Sequence, residues 1–370
     1  MKKLFLFATV LTALFLAVNP ISVHGCTSWM VFSDMTENGT NILHKNRDAI
    51  PRNIVVSISP ASSPRKWVAL GNGNTNMGIN VSGLAGVMNS GETCINPPNV
   101  KGKKGTPAML NEVLNTCDTA AQGVEKIKEL IAAGDYSHGN KGSIFFLMDR
   151  NEGYVCEITA KFCAAQRYDN GFTVRANIWQ NPGMYQMTRN SIKVYLNSSA
   201  RAFIALSGLN QILDKKGKIS LLDIFALSRH YLMPEDCPEK RSVCFKLTNS
   251  SSSLEVDKKY PDVLSSLYVT IGHPRHTVYV PVPVCAEKVI PSMGNGKWSA
   301  AAFKRLDNLK LEAPIPAEWT KFEKDSMAVY KKAQSEARKL LDAGKRAEAV
   351  KLMNSTAEKI WIDAEKLLKI

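Results

Sequence analysis

Cys26 is the residue with the most chemistry within its own reach. Ahead of it stand Lys2 and Lys3, an apolar stretch from Leu4 to Val18, and then Val23-His24-Gly25. A charged start, a short apolar middle and small residues at the third and first positions before a cut describe a secretory leader. Cleavage after Gly25 makes Cys26 the first residue of the mature chain, with a thiol and a free α-amine on one residue. Such an amine has an ordinary pKa of about 7.7–8.0, so it can act as base for its own thiol near neutral pH. One residue then supplies both nucleophile and base. Two other readings stand beside this one. A cysteine at a cleavage site is also where a lipid anchor is attached, although such sites want a small residue where this chain has His24. It can equally be a structural cysteine beside a cut made elsewhere.

An N-terminal nucleophile needs a carboxylate or polar group to hold the amine and a cation to favour the thiolate. It also needs hydrogen-bond donors facing the oxyanion that forms when an amide carbonyl is attacked. Lys45-Asn46-Arg47-Asp48 lies within hairpin reach of Cys26. Period-two alternation places Lys45 and Arg47 on one face and Asn46 and Asp48 on the other, unless the strand ends or bulges there. Otherwise these four are a polar strand end meeting solvent. His273 and His276 flank Pro274-Arg275, but histidines beside a strand turn read as surface residues. The six histidines of the chain show no metal-ligand spacing, so no metal is expected.

These residues must be positioned by a globular body of 370 residues, 45% hydrophobic and 22% charged, enough for one large core or two modest ones. No second apolar run reaches the roughly 18 residues of a membrane span, so no transmembrane segment is expected after cleavage. Losing Lys2 and Lys3 with the leader takes the net charge from +14 to +12. The basic residues are dispersed among Lys101 to Lys104, Lys215 to Lys218, Lys240-Arg241 and the tail, without interleaved aromatics. That pattern argues against a nucleic-acid partner. Eight cysteines leave seven besides Cys26, which allows up to three disulfides and a spare thiol in an oxidising compartment. Cys237 with Cys244 is the preferred pair; Cys156 with Cys163 and Cys94 with Cys117 are further possibilities.

Thr27 to Ser33 and Asn41 to Asn46 read as a hairpin about the turn Asp34 to Gly39. Further strands are expected at Ile54 to Ile58, Lys66 to Leu70, Gly83 to Met88, Ser143 to Met148, Tyr154 to Ile158, Cys163 to Tyr168, Phe172 to Ile178, Ser266 to Ile271 and Thr277 to Val282. Thr106-Pro107 starts a helix, Asp118 is placed as the cap of a second one ending at Gly134, and helices are expected at about Ala200 to Leu213 and Leu221 to Tyr231. After Pro314-Ile315-Pro316 the composition turns to alanine, lysine and glutamate. Two amphipathic runs, Ala317 to Ala343 and Arg346 to Leu368, make a helical hairpin about Gly344, with Ala328, Leu341, Met353 and Trp361 among its apolar residues. Strands and helices grouped in this way imply an α+β fold.

Four stretches in order resemble the choloylglycine hydrolase and penicillin acyltransferase group of N-terminal nucleophile hydrolases. They are Cys26-Thr27 with Asn38-Gly39 and Lys45-Asn46-Arg47-Asp48; Gly78 to Asn89; Val174-Arg175-Ala176-Asn177; and Ser198-Ser199-Ala200-Arg201. The resemblance implies a four-layer α-β-β-α sandwich over residues 26–313, preceded by a signal peptide at 1–25. The helical hairpin at 314–370, packed on that domain, is similar to an appendage of the related dipeptidases. It implies that Cys26 attacks a linear amide carbonyl through its sulfur, that Asp48 holds the amine, and that Asn89 and Asn177 donate to the oxyanion or orient the cysteine. Arg201 matches an arginine near the nucleophile, with Arg175 and Arg275 as competitors for that position. The family usually has arginine where this chain has Lys45; either Lys45 or Arg47 can keep the positive charge there, but lysine lacks the planar fork.

The expected protein is therefore a secreted or periplasmic hydrolase of linear amide C–N bonds, working through a thioester on Cys26. Its substrate is a small-molecule amide, it needs no cofactor, and signal peptidase alone matures it. A cysteine dipeptidase of the related family and a lipid-anchored basic binding protein are the alternatives. The sequence does not specify the oligomeric state.

Overall fold

The computed structural model describes residues 25–370 apart from 51, 74, 96–103, 135, 139–140, 188–191, 232–241, 310 and 312. The leader up to His24 and Cys237 therefore lie outside the described residues. The strands are β1 (Cys26–Val31), β2 (Asn41–Asp48), β3 (Val55–Ile58), β4 (Trp67–Gly71), β5 (Met77–Asn80), β6 (Ala85–Thr93), β7 (Lys141–Met148), β8 (Gly153–Ile158), β9 (Cys163–Tyr168), β10 (Phe172–Arg175), β11 (Thr248–Val256), β12 (Ser266–Thr270) and β13 (Val280–Pro283). The longer helices are α1 (Thr106–Thr116), α2 (Ala120–Ala132), α3 (Ile192–Lys216), α4 (Leu221–Ser228), α5 (Lys297–Asn308), α6 (Ala317–Asp342) and α7 (Arg346–Leu368).

Among the described residues the strands form two antiparallel sheets. One has six strands in the order β10-β1-β2-β11-β12-β13, the other seven in the order β3-β4-β5-β6-β7-β8-β9. Their inner faces meet, β1 and β2 lying against β6 and β7, with Met30, Leu43, Ile79, Val87, Ile144 and Phe146 buried in one continuous core. On the outer face of the seven-stranded sheet, Leu110, Val113 and Ile127 of α1 and α2 pack on Phe145, Leu147 and Cys156. On the outer face of the six-stranded sheet, Phe225 of α4 stacks on Tyr279 at 3.9 Å and Tyr330 of α6 meets Tyr268 edge-on at 6.0 Å. Helix, sheet, sheet, helix is the layering expected for the sandwich. A helix or sheet with one apolar face has to cover it, and each layer here does so.

Three sequence expectations change. The central strand β11 is absent from the sequence reading because its run Thr-Asn-Ser-Ser-Ser-Ser has low strand propensity. All of β11 is buried, and its hydroxyls are matched one by one. Ser251 donates to Asn46 Oδ1 at 2.6 Å, Ser253 pairs with His44 Nδ1 at 2.8 Å, and Ser252 lies 2.9 Å from Met77 Sδ. Thr119, not Asp118, caps α2, its side chain accepting from Gln122 N; both Asp118 oxygens are taken by Arg65 at 2.6 Å. Finally α3 begins at Ile192 rather than near Ala200, so Ser198 and Ser199 lie inside a helix rather than opening one.

The last two helices pack on one another and on β13. Trp361 Nε1 donates to Pro281 O at 2.6 Å, and Gly344 turns between the helices at φ +74°. Ala328, counted on the apolar face, is exposed; Met327 and Tyr330 take the buried positions. The buried Arg229 grips Glu323 of α6 with both ends of its fork, at 2.6 and 2.5 Å, while Tyr279 N donates to the same carboxylate at 2.6 Å. Removing one partner of such a pair strands a buried charge. Glu323→Ala is expected to lower unfolding free energy by about 3–5 kcal/mol, read as a shift of the denaturation midpoint.

Candidate active site

The β1–β2 register sets Cys26 opposite Arg47 and Ser28 opposite Lys45. All four side chains therefore share the inter-sheet face, as alternation requires. Cys26 is buried at the base of a cleft of about 420 Å³, whose walls include Lys45, Arg47, Asp48, Asn76, His138 and Lys141. Lys45 is fully enclosed. Its ammonium donates to the carbonyl of Met88, and Cys26 stands with it in the cleft wall. Burial pulls its pKa from 10.5 down to about 8, with Cys26 and Asp48 pulling the other way and Arg47 adding to the fall. Arg47 donates through Nη2 to Asn72 Oδ1 at 3.2 Å.

A second group meets the backbone side of Cys26. The nitrogen of Cys26 donates to Asn177 Oδ1 at 2.8 Å, and Asn177 Nδ2 is anchored on Ser90 O at 2.7 Å. Arg201 reaches in from α3, fully buried. Its Nη1 donates to Cys26 O at 2.6 Å and Thr27 Oγ1 at 2.8 Å. Its Nη2 donates to Asn177 Oδ1 at 2.6 Å, and its Nε to Asn197 Oδ1 at 3.3 Å, one helical turn away. Asp48 lies 3.9 Å from Arg201 Nη1 and accepts from Thr248 Oγ1 at 2.6 Å. Asp48, the last residue of β2, lines the cleft although it shares parity with Asn46, and a register shift in β11 between Thr248 and Ser250 lies opposite it. Asn46 itself turns outward and donates to Ser228 O and Val243 O at 2.6 and 3.0 Å. Gly25 sits tightly here. A Cβ on it would come 2.9 Å from Arg201 Nη2 and 3.2 Å from Asp48 Oδ2, so the residue ahead of Cys26 has no room for a side chain.

All six of the sequence candidates, Cys26, Lys45, Asp48, Asn89, Asn177 and Arg201, thus come together, but Asn89 meets the nucleophile strand one residue pair away. Its Oδ1 accepts from Ser28 Oγ at 2.8 Å and its Nδ2 donates to Ala176 O at 3.1 Å. The two ends of this amide tie β6 to β1, which carries Cys26, and to the segment just after β10 that carries Asn177. The competing arginines lie elsewhere. Arg175 contacts Tyr168 Oη at 2.9 Å and Glu157 at 3.7 Å, and Arg275 binds the carbonyls of Arg229, Leu311 and Ala313. His273 and His276 are buried rather than superficial; burial lowers their pKa values to about 3 and about 4. Among the described residues no group of three or more His, Cys, Asp or Glu is placed to hold a metal, and no helix is long and apolar enough to cross a membrane.

Asn76 and His138 were not legible as site residues. Asn76 precedes the second matched stretch, and His138 enters from beyond α2, where its ring bridges Ser90 Oγ at 3.2 Å and Thr106 Oγ1 at 2.6 Å. No local pattern marks either one; the sheet packing alone brings them to the cleft. Of the suggested cysteine pairs, Cys156 and Cys163 approach to 3.2 Å between sulfurs on neighbouring strands. Cys94 and Cys117 are not bonded to each other: they are buried in different cores, one between the sheets and one under α1 and α2.

The charge state of Lys45 has a consequence for stability. Its proton leaves the folded protein near pH 8 and the unfolded chain near 10.5, so the unfolded state binds more protons between those values. Stability therefore climbs with pH across that window. Lys45→Met is expected to remove the climb and to raise stability at pH 7 by roughly 1–3 kcal/mol, measured by denaturant titrations from neutral to alkaline pH.

No protein-family model and no curated protein matches this sequence. Solved structures with a similar chain path include a mutant of conjugated bile acid hydrolase from Clostridium perfringens, 13% identical, covering 73% of this chain and 94% of that one with a TM-score of 0.48. Penicillin V acylase from Agrobacterium tumefaciens is 13% identical, covers 70% and 86%, and gives a TM-score of 0.45. The Caenorhabditis elegans ortholog of N-acylethanolamine-hydrolyzing acid amidase is 15% identical over 64% and 94%, with a TM-score of 0.39.

Proposed function

We propose that this protein is a secreted hydrolase of linear amide C–N bonds whose nucleophile is the mature N-terminal Cys26. The observation that carries the reading is the convergence of Lys45, Asp48, Asn177 and Arg201 on the one residue that a leader cut would expose. Once Gly25 is removed, the freed amine lies against Asn177 Oδ1, with the Asp48 carboxylate close by. An acceptor and a carboxylate hold an ammonium in place, and its neutral form can take the thiol proton. Lys45 supplies the cation that favours thiolate.

Attack of Cys26 sulfur on the amide carbonyl forms a C–S bond and a tetrahedral oxyanion. The amine has taken the thiol proton and returns it to the leaving nitrogen as the C–N bond breaks, leaving a thioester. Water, deprotonated by the same amine, then attacks the thioester carbonyl, releases the acid and restores the thiol. Asn89 holds the β6 strand against β1 and the segment after β10 while this happens, and Arg201 fixes the carbonyl of Cys26 and the amide of Asn177. The substrate is a small-molecule amide.

The test is the intact mass of the protein recovered after secretion, combined with brief exposure to an N-acyl amide and acid quenching. A mass starting at Cys26 with a free amine, plus an acyl adduct that alkaline hydroxylamine removes, is the expected result. A blocked amine, a lipid adduct or a start at another residue overturns the mechanism.

A further inference from the structure

We propose that Cys156 and Cys163 are a disulfide site, and that the bond fastens together the two strands on which the segment carrying Asn177 is anchored. This goes beyond the amide-hydrolase reading, since no step of it uses Cys26 or the cleft.

Cys156 lies on β8 and Cys163 opens β9. The register pairs Cys156 with Ala165 and Cys163 with Ile158, so the two cysteines are diagonal neighbours on one face of the sheet. That face is the outer one, where both pack into the core under α1 and α2. Their sulfurs stand 3.2 Å apart as free thiols, and a bond needs them about 1 Å closer. Cys163 can supply that movement. It is the first residue after the turn in which Thr159 N donates to Phe162 O, and β9 is the edge strand of its sheet. Cys156 is fully buried whereas Cys163 is partly open to solvent, which sets the order of events. The hydrogen bond with Cys156, backed by the charge of Lys128, holds the Cys163 thiol below its ordinary range despite burial. As thiolate, Cys163 attacks one sulfur of a small disulfide such as oxidised glutathione, breaking its S–S bond and expelling one glutathione thiolate. Cys156 then loses its proton and attacks Cys163 Sγ, expelling the second. Two protein thiols are oxidised, one glutathione disulfide is reduced, and the two protons end on the two glutathiones.

The position of this bond gives it a consequence. Asn181 Nδ2 donates to Val155 O and to Ala164 O, both at 2.8 Å, one residue before Cys156 and one after Cys163. The carboxylate of Glu157, next to Cys156, accepts from Gln180 N at 2.8 Å and from Asn181 N at 2.9 Å. One end of the run from Asn177 to Asn181 is therefore clipped across β8 and β9, while Asn177 at the other end meets Cys26 N. Because β9 pairs with β8 alone, half of the Asn181 clip rests on a sheet edge held by a single ladder. A covalent bond between residues 156 and 163 stops that edge from parting from β8, and the clip is held with it.

The test takes the full chain, reduced with dithiothreitol, freed of reductant and exposed to oxidised glutathione at neutral pH. The folded protein is then quenched in acid, unfolded, alkylated and digested. Trypsin cuts after Lys161, between the two cysteines, so the bond shows as two joined, unalkylated peptides that reductant separates. Hydrogen exchange of the Gln180 and Asn181 amides, read on the reduced and oxidised protein, is expected to slow by about threefold or more on oxidation. Cys163→Ser should lose both the joined peptides and the slowing, which separates this bond from reactions at other cysteines. The comparison of reduced and oxidised native chain carries the result even if that variant does not fold. Alkylation of both cysteines after oxidation, glutathione left standing on Cys163, or either cysteine joined to another one overturns the site. A bond between 156 and 163 with unchanged exchange, or slowing that persists in Cys163→Ser, overturns the fastening.

Discussion

Replacing Cys26 by alanine is expected to lower amide turnover by on the order of 10⁴-fold or more, with the fold unchanged. Two losses coincide in this variant. The sulfur that would form the thioester is gone, and the remaining α-amine has no thiol to deprotonate. What survives is binding and any oxyanion stabilisation, which act on the uncatalysed attack of water. The alanine side chain fits the space, because it is smaller than cysteine and the backbone of Cys26 is held through its nitrogen and carbonyl by Asn177 and Arg201. Steady-state rates on an N-acyl amide, beside a thermal melt, check both halves. Cys26→Ser tests chemistry more finely. The hydroxyl keeps a small polar group at the same position but ionises far less readily than a thiol, so activity should fall steeply while the melt stays the same. Turnover within a few-fold of the parent in Cys26→Ala would sink the nucleophile assignment.

Arg201→Ala should produce the other large effect, and on stability as well as rate. This guanidinium is fully buried and serves the carbonyl of Cys26, the hydroxyl of Thr27 and the amide oxygen of Asn177 at once. Truncation leaves those acceptors short of donors and takes the arginine away from the nearby Asp48 carboxylate. The expected loss is about 3–5 kcal/mol of unfolding free energy, together with a fall of activity of at least about 10²-fold from misplacement of the nucleophile. Arg201→Lys separates the two contributions. The ammonium keeps the charge beside Asp48 but cannot hold three acceptors in one plane. Most of the stability should therefore return while the rate stays low. Denaturant midpoints and kcat measured on the same samples distinguish the cases, and a lysine variant with full activity would refute the positioning role.

Part of the site was legible without coordinates. The basic-polar-acidic run one hairpin away from Cys26 depends on neighbours in sequence and on period-two alternation, and local rules suffice for it. The same holds for the amphipathic helices after Pro316, whose apolar stripes identify a face that must be covered. Less legible was anything whose environment overrides its local preference. The serines of β11 read as a loop until His44, Asn46 and Met77 are placed against them, since propensity reflects an average surround and these hydroxyls have specific partners. Asp118 has the chemistry of a cap, but Arg65 claims it from 53 residues away.

For the site itself, sequence singled out the candidate nucleophile and which kinds of group stand near it: Cys26, with a cation and a carboxylate at the end of the paired strand. Only the tertiary structure decided how those groups divide the work. It chose Arg201 over Arg175 and Arg275, because a single α3 side chain reaches Cys26, Thr27 and Asn177 together. It enclosed Lys45 with its ammonium on Met88 O and sent Arg47 to Asn72, a distinction that alternation, which puts both on one face, does not contain. It also brought in Asn76 and His138 from segments with no motif. Alternation and cleavage patterns act over a few residues and leave their mark in the sequence. Packing helices and sheets in layers joins residues as far apart as Cys26 and Arg201, 175 positions along the chain, and the identity of such partners is written only in the space between the layers.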